Sequence, residues 1–519
     1  MAWWPFRRSG AGEAEAEQER RGLLQHPSER RRASDHHHVH HRGSRADSHS
    51  HSDSHSDSSA KATPLPKMQL FILCVMRLSE PIAFTCIFPF IPYMLHDNLP
   101  DVPKDEIGYY AGLVESLFAV VQFLTGMVWG SLSDRIGRKP VLLIGLAGTF
   151  VSVNAFGLAK SFHAMILARA INGLMNGNIA VIKSVLGELT DDSNQARAFT
   201  FLPLMFAIGS IIGPAIGGTL SDPASTFPDW FGRSQFLKRY PYWLPCGVAG
   251  LLNLFGLLVG FLFLQENSDE RASHNQPAAP SPITDDEEKP ASFKEIFKPK
   301  ILTVLFNQAL INLINVAYMS ALPLFCFTPI EKGGLDFTKQ DVGTILAANG
   351  VLAIFIQLFL FPFLEKRLGG PQHVLKRSLP FMASTFLFFP LAHVAARLGR
   401  AEVWTVLGAM LVFKSIGGIS IVSGTLCINN VAPNRASLGR VNGLGQSLGS
   451  LSRAVGPISS TSLFAWSITH PQFLDGQLVW IAFFLVSGCR RCAVCAFVAP
   501  TDGWSSKLDR MPQLAFGTW

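Results

Sequence analysis

From residue 68 onward the chain repeats one pattern: an apolar run of roughly 18 to 25 residues, a short polar turn, and another run, each long enough to cross the ~30 Å hydrocarbon layer as a helix. Twelve such runs lie near 68–95, 107–131, 140–159, 163–188, 198–220, 241–264, 300–328, 341–364, 376–395, 402–428, 440–466 and 477–498. The eleventh is Gly- and Ser-rich, and the twelfth is interrupted by Arg490 and Arg491. Composition agrees: of 519 residues 48% are hydrophobic, 16% charged and forty are phenylalanine. A soluble chain of that length carries nearer a quarter charged residues and divides into several domains. The expectation is an all-α polytopic membrane protein.

Between the sixth and seventh runs, ENSDERASHNQPAAPSPITDDEEKPASFKEIFKPK is polar and Pro-rich and reads as a linker joining two halves. The halves echo each other. Gly108 precedes Gln122 by fourteen positions, as Gly343 precedes Gln357; Arg197 precedes Pro214 by seventeen, as Arg440 precedes Pro457. Two offsets matched in order point to a duplicated parallel repeat, hence twelve helices in two six-helix bundles. The domains follow: a His-, Ser- and Arg-rich tail over 1–66, a first bundle over 67–264, a linker over 265–299, a second bundle over 300–499 and an atypical tail over 500–519.

The first tail, with DHHHVHHR and HSDSHSDSHS, lacks the apolar residues to build a core and is expected to be disordered. No apolar stretch follows the start Met, so the first span would serve for targeting. Basic residues are nearly tied between the two sets of loops, and Lys61, Lys67, Lys294, Lys298 and Lys300 tip the balance toward a cytosolic N-terminus, in the plasma or a vacuolar membrane.

The net charge of +7 is modest. Its arginines lack the aromatic interleaving of a nucleic-acid surface and face anionic lipid and cytosol instead, so membrane lipid is an expected partner and nucleic acid is not. The cysteines suggest no disulfide framework, and the cluster Cys489, Cys492 and Cys495 contains one CxxC without a second ligand pair, a helix thiol cluster rather than a metal site. No GxxxxGK[ST], HExxH or GxSxG is present, so neither ATP-driven transport nor hydrolysis is supported. The chain is not expected to be an enzyme, and no cofactor or metal is expected.

Charges inside apolar runs are costly and therefore informative. Arg77 and Glu80 lie three apart on one helical face of the first span, to pair with each other, with Glu115 of the second, or to line a wet cavity. A permanently paired bolt is one reading. The other is that Glu80 or Glu115 carries a proton, since a carboxyl in a low-dielectric cavity can hold and release one. Arg169, Asn172, Asn176 and Lys183 share one face of the fourth span, as do Gln308, Asn312 and Asn315 of the seventh. Such stripes turn away from lipid, either as interhelical glue or as a substrate surface. Pro81, Pro89 and Pro92 break the ladder of the first span, as a gate helix or a static bend. In the fifth, Gly209 and Gly213 with Pro214 and Gly217 describe a narrow, bent helix that packs closely.

The turn GSLSDRIGRK, 130–139, is densely charged. Gly130 allows close helix approach and Gly137 a tight turn, while Asp134 can face a helix N-terminus and Arg135, Arg138 and Lys139 can hold a carboxylate or lipid phosphate. Ordinary loop charges are the plain alternative. The chain here resembles the major facilitator superfamily, whose pattern G-x-L-x-D-x-x-G-R-K is matched at Gly130, Leu132, Asp134, Gly137, Arg138 and Lys139. A second pattern is matched by Arg169 and Gly173, and a third, G-x-x-x-G-P-x-x-G-G, by Gly209, Gly213, Pro214, Gly217 and Gly218 in GSIIGPAIGG.

Over residues 67–485 the chain is similar to fungal members of the drug:proton antiporter branch related to zinc-induced facilitators, in RLSEPIAF, NGNIAVIKS, TDDSNQARAF and STFPDWFGRSQFLKRYPYWLP. The resemblance implies a central cavity opening alternately to each side, a loop around Asp134 that holds the cytosolic side closed, and, from GSIIGPAIGG, antiport. It departs at FLEKRLGGPQ, which keeps Gly369 without a clear Asp equivalent, and at CRRCAVCAF, unlike a final span. The expectation is a monomeric proton-coupled transporter exporting a small organic molecule or chelate; proton symport for uptake and a non-transporting receptor or scaffold are the alternatives.

Overall fold

Helix α1 (Lys67–Thr85) begins after Pro66 and contains Pro81, and its run does not continue unbroken to residue 95. A turn carrying Pro89 separates it from a short helix, Ile91–Asn98, with Pro92 in its first turn. Proline at 89 has no N–H to give a helical ladder, so the chain re-starts there. The computed structural model describes residues 65–190, 194–266, 297–431, 438–472 and 476–497. The His-rich tail, most of the expected linker and the last twenty-two residues lie outside these.

The remaining rods are α2 (Ile107–Ile136), α3 (Arg138–Gly157), α4 (Phe162–Glu188), α5 (Phe201–Leu220), α6 (Trp243–Phe263), α7 (Pro299–Phe327), α8 (Lys339–Leu368), α9 (Pro371–Leu398), α10 (Arg400–Val431), α11 (Leu438–Thr469) and α12 (Leu478–Phe497). Among the described residues, the first ten are long and apolar enough to cross a membrane. The other two fall where the sequence is weakest. Helix α12 is apolar only over Leu478–Gly488 and continues as helix through Arg490 and Arg491. It is nevertheless docked, with Trp480 stacked 3.8 Å from the Phe389 ring of α9. The side chains of the thiol cluster at 489, 492 and 495 lie outside the described residues.

Two six-helix bundles result. In the first, α1 packs on α5 and α6, and α3 on α4 and α6; in the second, α7 packs on α11, and α9 on α10 and α12. Two seams join them, α2 with α11 and α5 with α8. The Gly- and Ser-rich composition of α11 follows from its place between α2 and α7 rather than against lipid. Ser452 Oγ donates to Ala309 O at 2.8 Å, and Ser116 Oγ of α2 accepts the Ile458 N–H at 3.0 Å.

The seams reveal the repeat. A Cβ on Gly108 would stand 2.7 Å from Thr461 O, and one on Gly343 would stand 2.7 Å from Gly218 Cα. Thr461 and Gly218 each lie four residues after the matched prolines, Pro457 and Pro214. The residues paired by spacing in the two halves therefore make corresponding contacts.

Candidate functional site

Helices α2 and α11 do not run together for their whole length. At one end Gly112 is pressed on Ile458, where an added Cβ would come within 2.8 Å of Cα. Eighteen residues further on, about 27 Å along a helix axis, a Cβ at Gly130 would meet nothing within 4 Å, and neither would one at Gly126 or at Gly443 of α11. Gly130 is thus no close-approach glycine. The helices touch at one end and part toward the α2–α3 hairpin, leaving a cleft between the bundles.

The tight end is clasped by polar groups from both bundles. Lys332 Nζ lies 3.0 Å from Asp105 and Lys339 Nζ 3.7 Å from Asp222, while Gln340 Nε2 donates to Thr226 Oγ1 at 2.9 Å. The Tyr93 hydroxyl donates to Phe337 O. Beside the clasp, Gly218 meets Gly343 backbone on backbone, and Gly209, Gly213 and Gly217 lay α5 onto α1. The added Cβ would lie 2.6 Å from Pro81 Cγ at Gly209 and 2.8 Å from Ile82 O at Gly213. The small residues around Pro214 serve two approaches at once, one within a bundle and one between bundles.

At the hairpin, Gly137 takes φ +104°, a conformation that glycine adopts freely, and ends α2. Arg138 opens α3. Its guanidinium reaches Asp134 Oδ1 at 2.6 Å, Ser133 Oγ at 2.6 Å and Glu188 Oε1 at 2.9 Å, and its backbone N–H donates to Glu266 Oε1 at 2.8 Å. One arginine thus ties the ends of α2, α4 and α6 to the start of α3. Glu266 also places a carboxylate at the positive end of α3. Arg135 is exposed, and Lys139 stands 6.0 Å from the Phe261 ring. Glu188 and Glu266 were not anticipated, because the hairpin motif does not identify partners fifty and more residues away.

Midway along α1, Arg77 and Glu80 are ion-paired with each other. Glu115 is 4% exposed and accepts a hydrogen bond from Ser320 of α7, in the other bundle. Arg169 is 1% exposed, 4.6 Å from the Phe118 ring, and its Nε donates to Val114 O at 3.4 Å. No ion pair joins Arg169 to Glu115 among the described residues.

The two polar stripes divide. Helix α4 is broken at Asn176 and Gly177 into Phe162–Met175 and Asn178–Glu188. Trp129 Nε1 and Gln122 Nε2 of α2 donate to the carbonyls of Leu174 and Asn176 at 2.6 and 3.1 Å. Asn172 and Asn176 are buried, while Lys183 is half-buried. On α7, Gln308 donates to Ile421 O of α10 at 3.3 Å, a helix-to-helix bond, whereas Asn315 accepts from Lys414 Nζ at 2.8 Å. Asn312 lies beside Gly449 and Arg453 of α11. Lys414 and Arg453 are isolated basic residues in the tenth and eleventh runs. The cost argument that singles out Arg77 finds them equally well.

A family description of the Major Facilitator Superfamily matches residues 73–457. The chain is 31% identical over 469 residues to the major facilitator superfamily multidrug transporter mfsB of Aspergillus fumigatus, covering 76% of this chain and 77% of that one. It is 31% identical over 435 residues to ZINC INDUCED FACILITATOR-LIKE 1 of Arabidopsis thaliana, covering 81% and 89%. Among solved structures it resembles a bacterial homolog of the human lysosomal transporter Spinster, at TM-score 0.58 and 14% identity, over 84% of this chain and 94% of that one.

Proposed function

Because the chain belongs to the major facilitator superfamily and is a multi-pass membrane transporter rather than an enzyme, we propose that it is a proton-coupled antiporter that exports a small organic molecule or chelate by alternating access. The observation that carries this reading is the bond from Ser320 of the second bundle to the buried Glu115 of the first. A hydroxyl bond to an ionised carboxylate is about twice as strong as one between neutral groups. Protonation of Glu115 weakens it and loosens one bundle from the other. Substrate in the cleft and a proton on Glu115 then favour different arrangements of the same two bodies, the requirement for exchange.

Glu80 is the lesser candidate, since Arg77 already balances its charge. The cleft opens toward the hairpin, which faces the cytosol if the N-terminus does. The sequence GSIIGPAIGG and the multidrug relative support export.

The reading is tested with purified protein in liposomes under an imposed pH gradient. Substrate flux against the proton gradient is expected, and Glu115→Gln should abolish it while leaving substrate counterflow at equal pH. Flux along the proton gradient would make the protein a symporter, and no flux with retained binding a receptor.

A further inference from the structure

Charges inside the described helices do not balance. Five cations stand in the interior of the bundles, Arg77, Arg169, Lys183, Lys414 and Arg453, against two carboxylates, Glu80 and Glu115. Glu80 is taken by Arg77. Glu115 and Arg169 lie within electrostatic reach of each other. That leaves three. Lys414 donates to Asn315 and sits 4.9 Å from the Tyr318 ring, and Arg453 Nη2 donates to Ser450 Oγ at 2.9 Å. Lys183 makes no hydrogen bond or ion pair among the described residues. Neutral partners satisfy N–H groups without cancelling charge, and uncompensated charge inside a membrane protein is costly and marks function.

Two of the three stand together: Lys183 and Arg453 lie within electrostatic reach of each other and of Arg77, and Arg453 of Glu80 as well. They come from α4 and α11, in different bundles. Asn312 stands beside Arg453 where Gly449 leaves room: a Cβ there would be 3.3 Å from Asn312 Nδ2 and 4.0 Å from Arg453 Nη1. On the same helix, Asn315 leads on to Lys414. A row of donors therefore crosses the cleft, and Arg77, Lys183 and Arg453 share the one carboxylate of Glu80.

We propose that the molecule carried is an organic anion whose carboxylate or equivalent oxyanion is received between Lys183 and Arg453, with Asn312 and Lys414 serving the rest of the molecule. This rests on the transporter reading and adds the substrate's charge to it. Two like charges facing across a cleft repel, and an anion between them turns that repulsion into attraction toward a shared ligand. The bound anion draws the two bundles together, whereas a cation would oppose closure.

The test separates charge from shape. Fluorescein, an anion, and rhodamine 123, a cation, share one ring system, and their binding to the full-length protein in detergent is measured by fluorescence polarisation. Fluorescein is expected to bind the more tightly. Lys183→Gln and Arg453→Gln should each weaken it by about tenfold or more, the loss of one charge-assisted bond, and Lys183→Arg should restore most of it. Circular dichroism checks that the variants are folded, and Lys238→Gln, an exposed charge between α5 and α6 and outside the spans, serves as the control. Rhodamine bound as tightly, fluorescein not bound at all, or fluorescein indifferent to both glutamine variants would overturn the proposal. Binding is read without any gradient, so these outcomes are independent of whether pH-driven flux is observed.

Discussion

Arg138 shows how much one side chain can organise. Its guanidinium meets Asp134 at the end of α2 and Glu188 at the end of α4, and its backbone N–H meets Glu266 just past α6, so three helix ends depend on one residue. Asp134 itself is 65% exposed in its side chain, and an exposed pair of this kind contributes only about 0.5 kcal/mol to stability. Asp134→Asn is therefore expected to leave the melting temperature in detergent within a degree or two while slowing transport severalfold, the outcome that follows if the loop around Asp134 holds the cytosolic side closed in the opposite state, as the family resemblance implies. Wild-type turnover in that variant would remove the latch role. The hairpin was legible in the sequence as a charged turn with a glycine, since those needs are local. Its carboxylate partners were not, because nothing in ten residues records which distant helix ends converge on them.

At the scale of the element, α4 is the instructive case. Its run reads as one continuous span, and Asn172, Asn176 and Lys183 as one face, because helical spacing assumes an unbroken ladder. The break at Asn176 and Gly177 frees carbonyls that the membrane would leave unsatisfied, and α2 meets them through Trp129 and Gln122. Whether an amide-rich stretch breaks or continues depends on donors in a neighbouring helix, information that lies forty-five residues earlier in the chain. Trp129→Phe keeps most of the ring's bulk and removes only the N–H to Leu174 O. Leaving that carbonyl unpaired is expected to cost about 1–3 kcal/mol, read as a lowered unfolding midpoint in detergent, with Gln122→Ala adding less because that side chain is only partly buried. By contrast the span positions, the proline-bearing turn that ends α1 and the close-packed α5 all follow from run length, proline and glycine. These are properties a single helix expresses by itself.

For the whole molecule, twelve rods in two related sets were apparent from spacing alone, because duplication leaves the same offsets in both halves. What spacing did not contain was the state: clasped at the end of Lys332 and Lys339, parted at the hairpin. Gly218→Val tests that state. Its side chain has no room against Gly343 Cα, 2.6 Å from the added Cβ, so overpacking of about 1–3 kcal/mol falls on the clasped arrangement and not on the opposite one. A cysteine placed at Thr226, in the clasp itself, should then react with a maleimide about tenfold faster or more than the same cysteine beside Gly218. An unchanged rate would mean that this seam does not open during the cycle. The two seams are not equal copies. One sets glycine against glycine; the other sets glycine against Thr461, whose hydroxyl bonds back to Pro457 O at 2.9 Å. Glycine against glycine leaves the least bulk between the bodies, so a rocking motion is expected to hinge nearer α5 and α8 than α2 and α11.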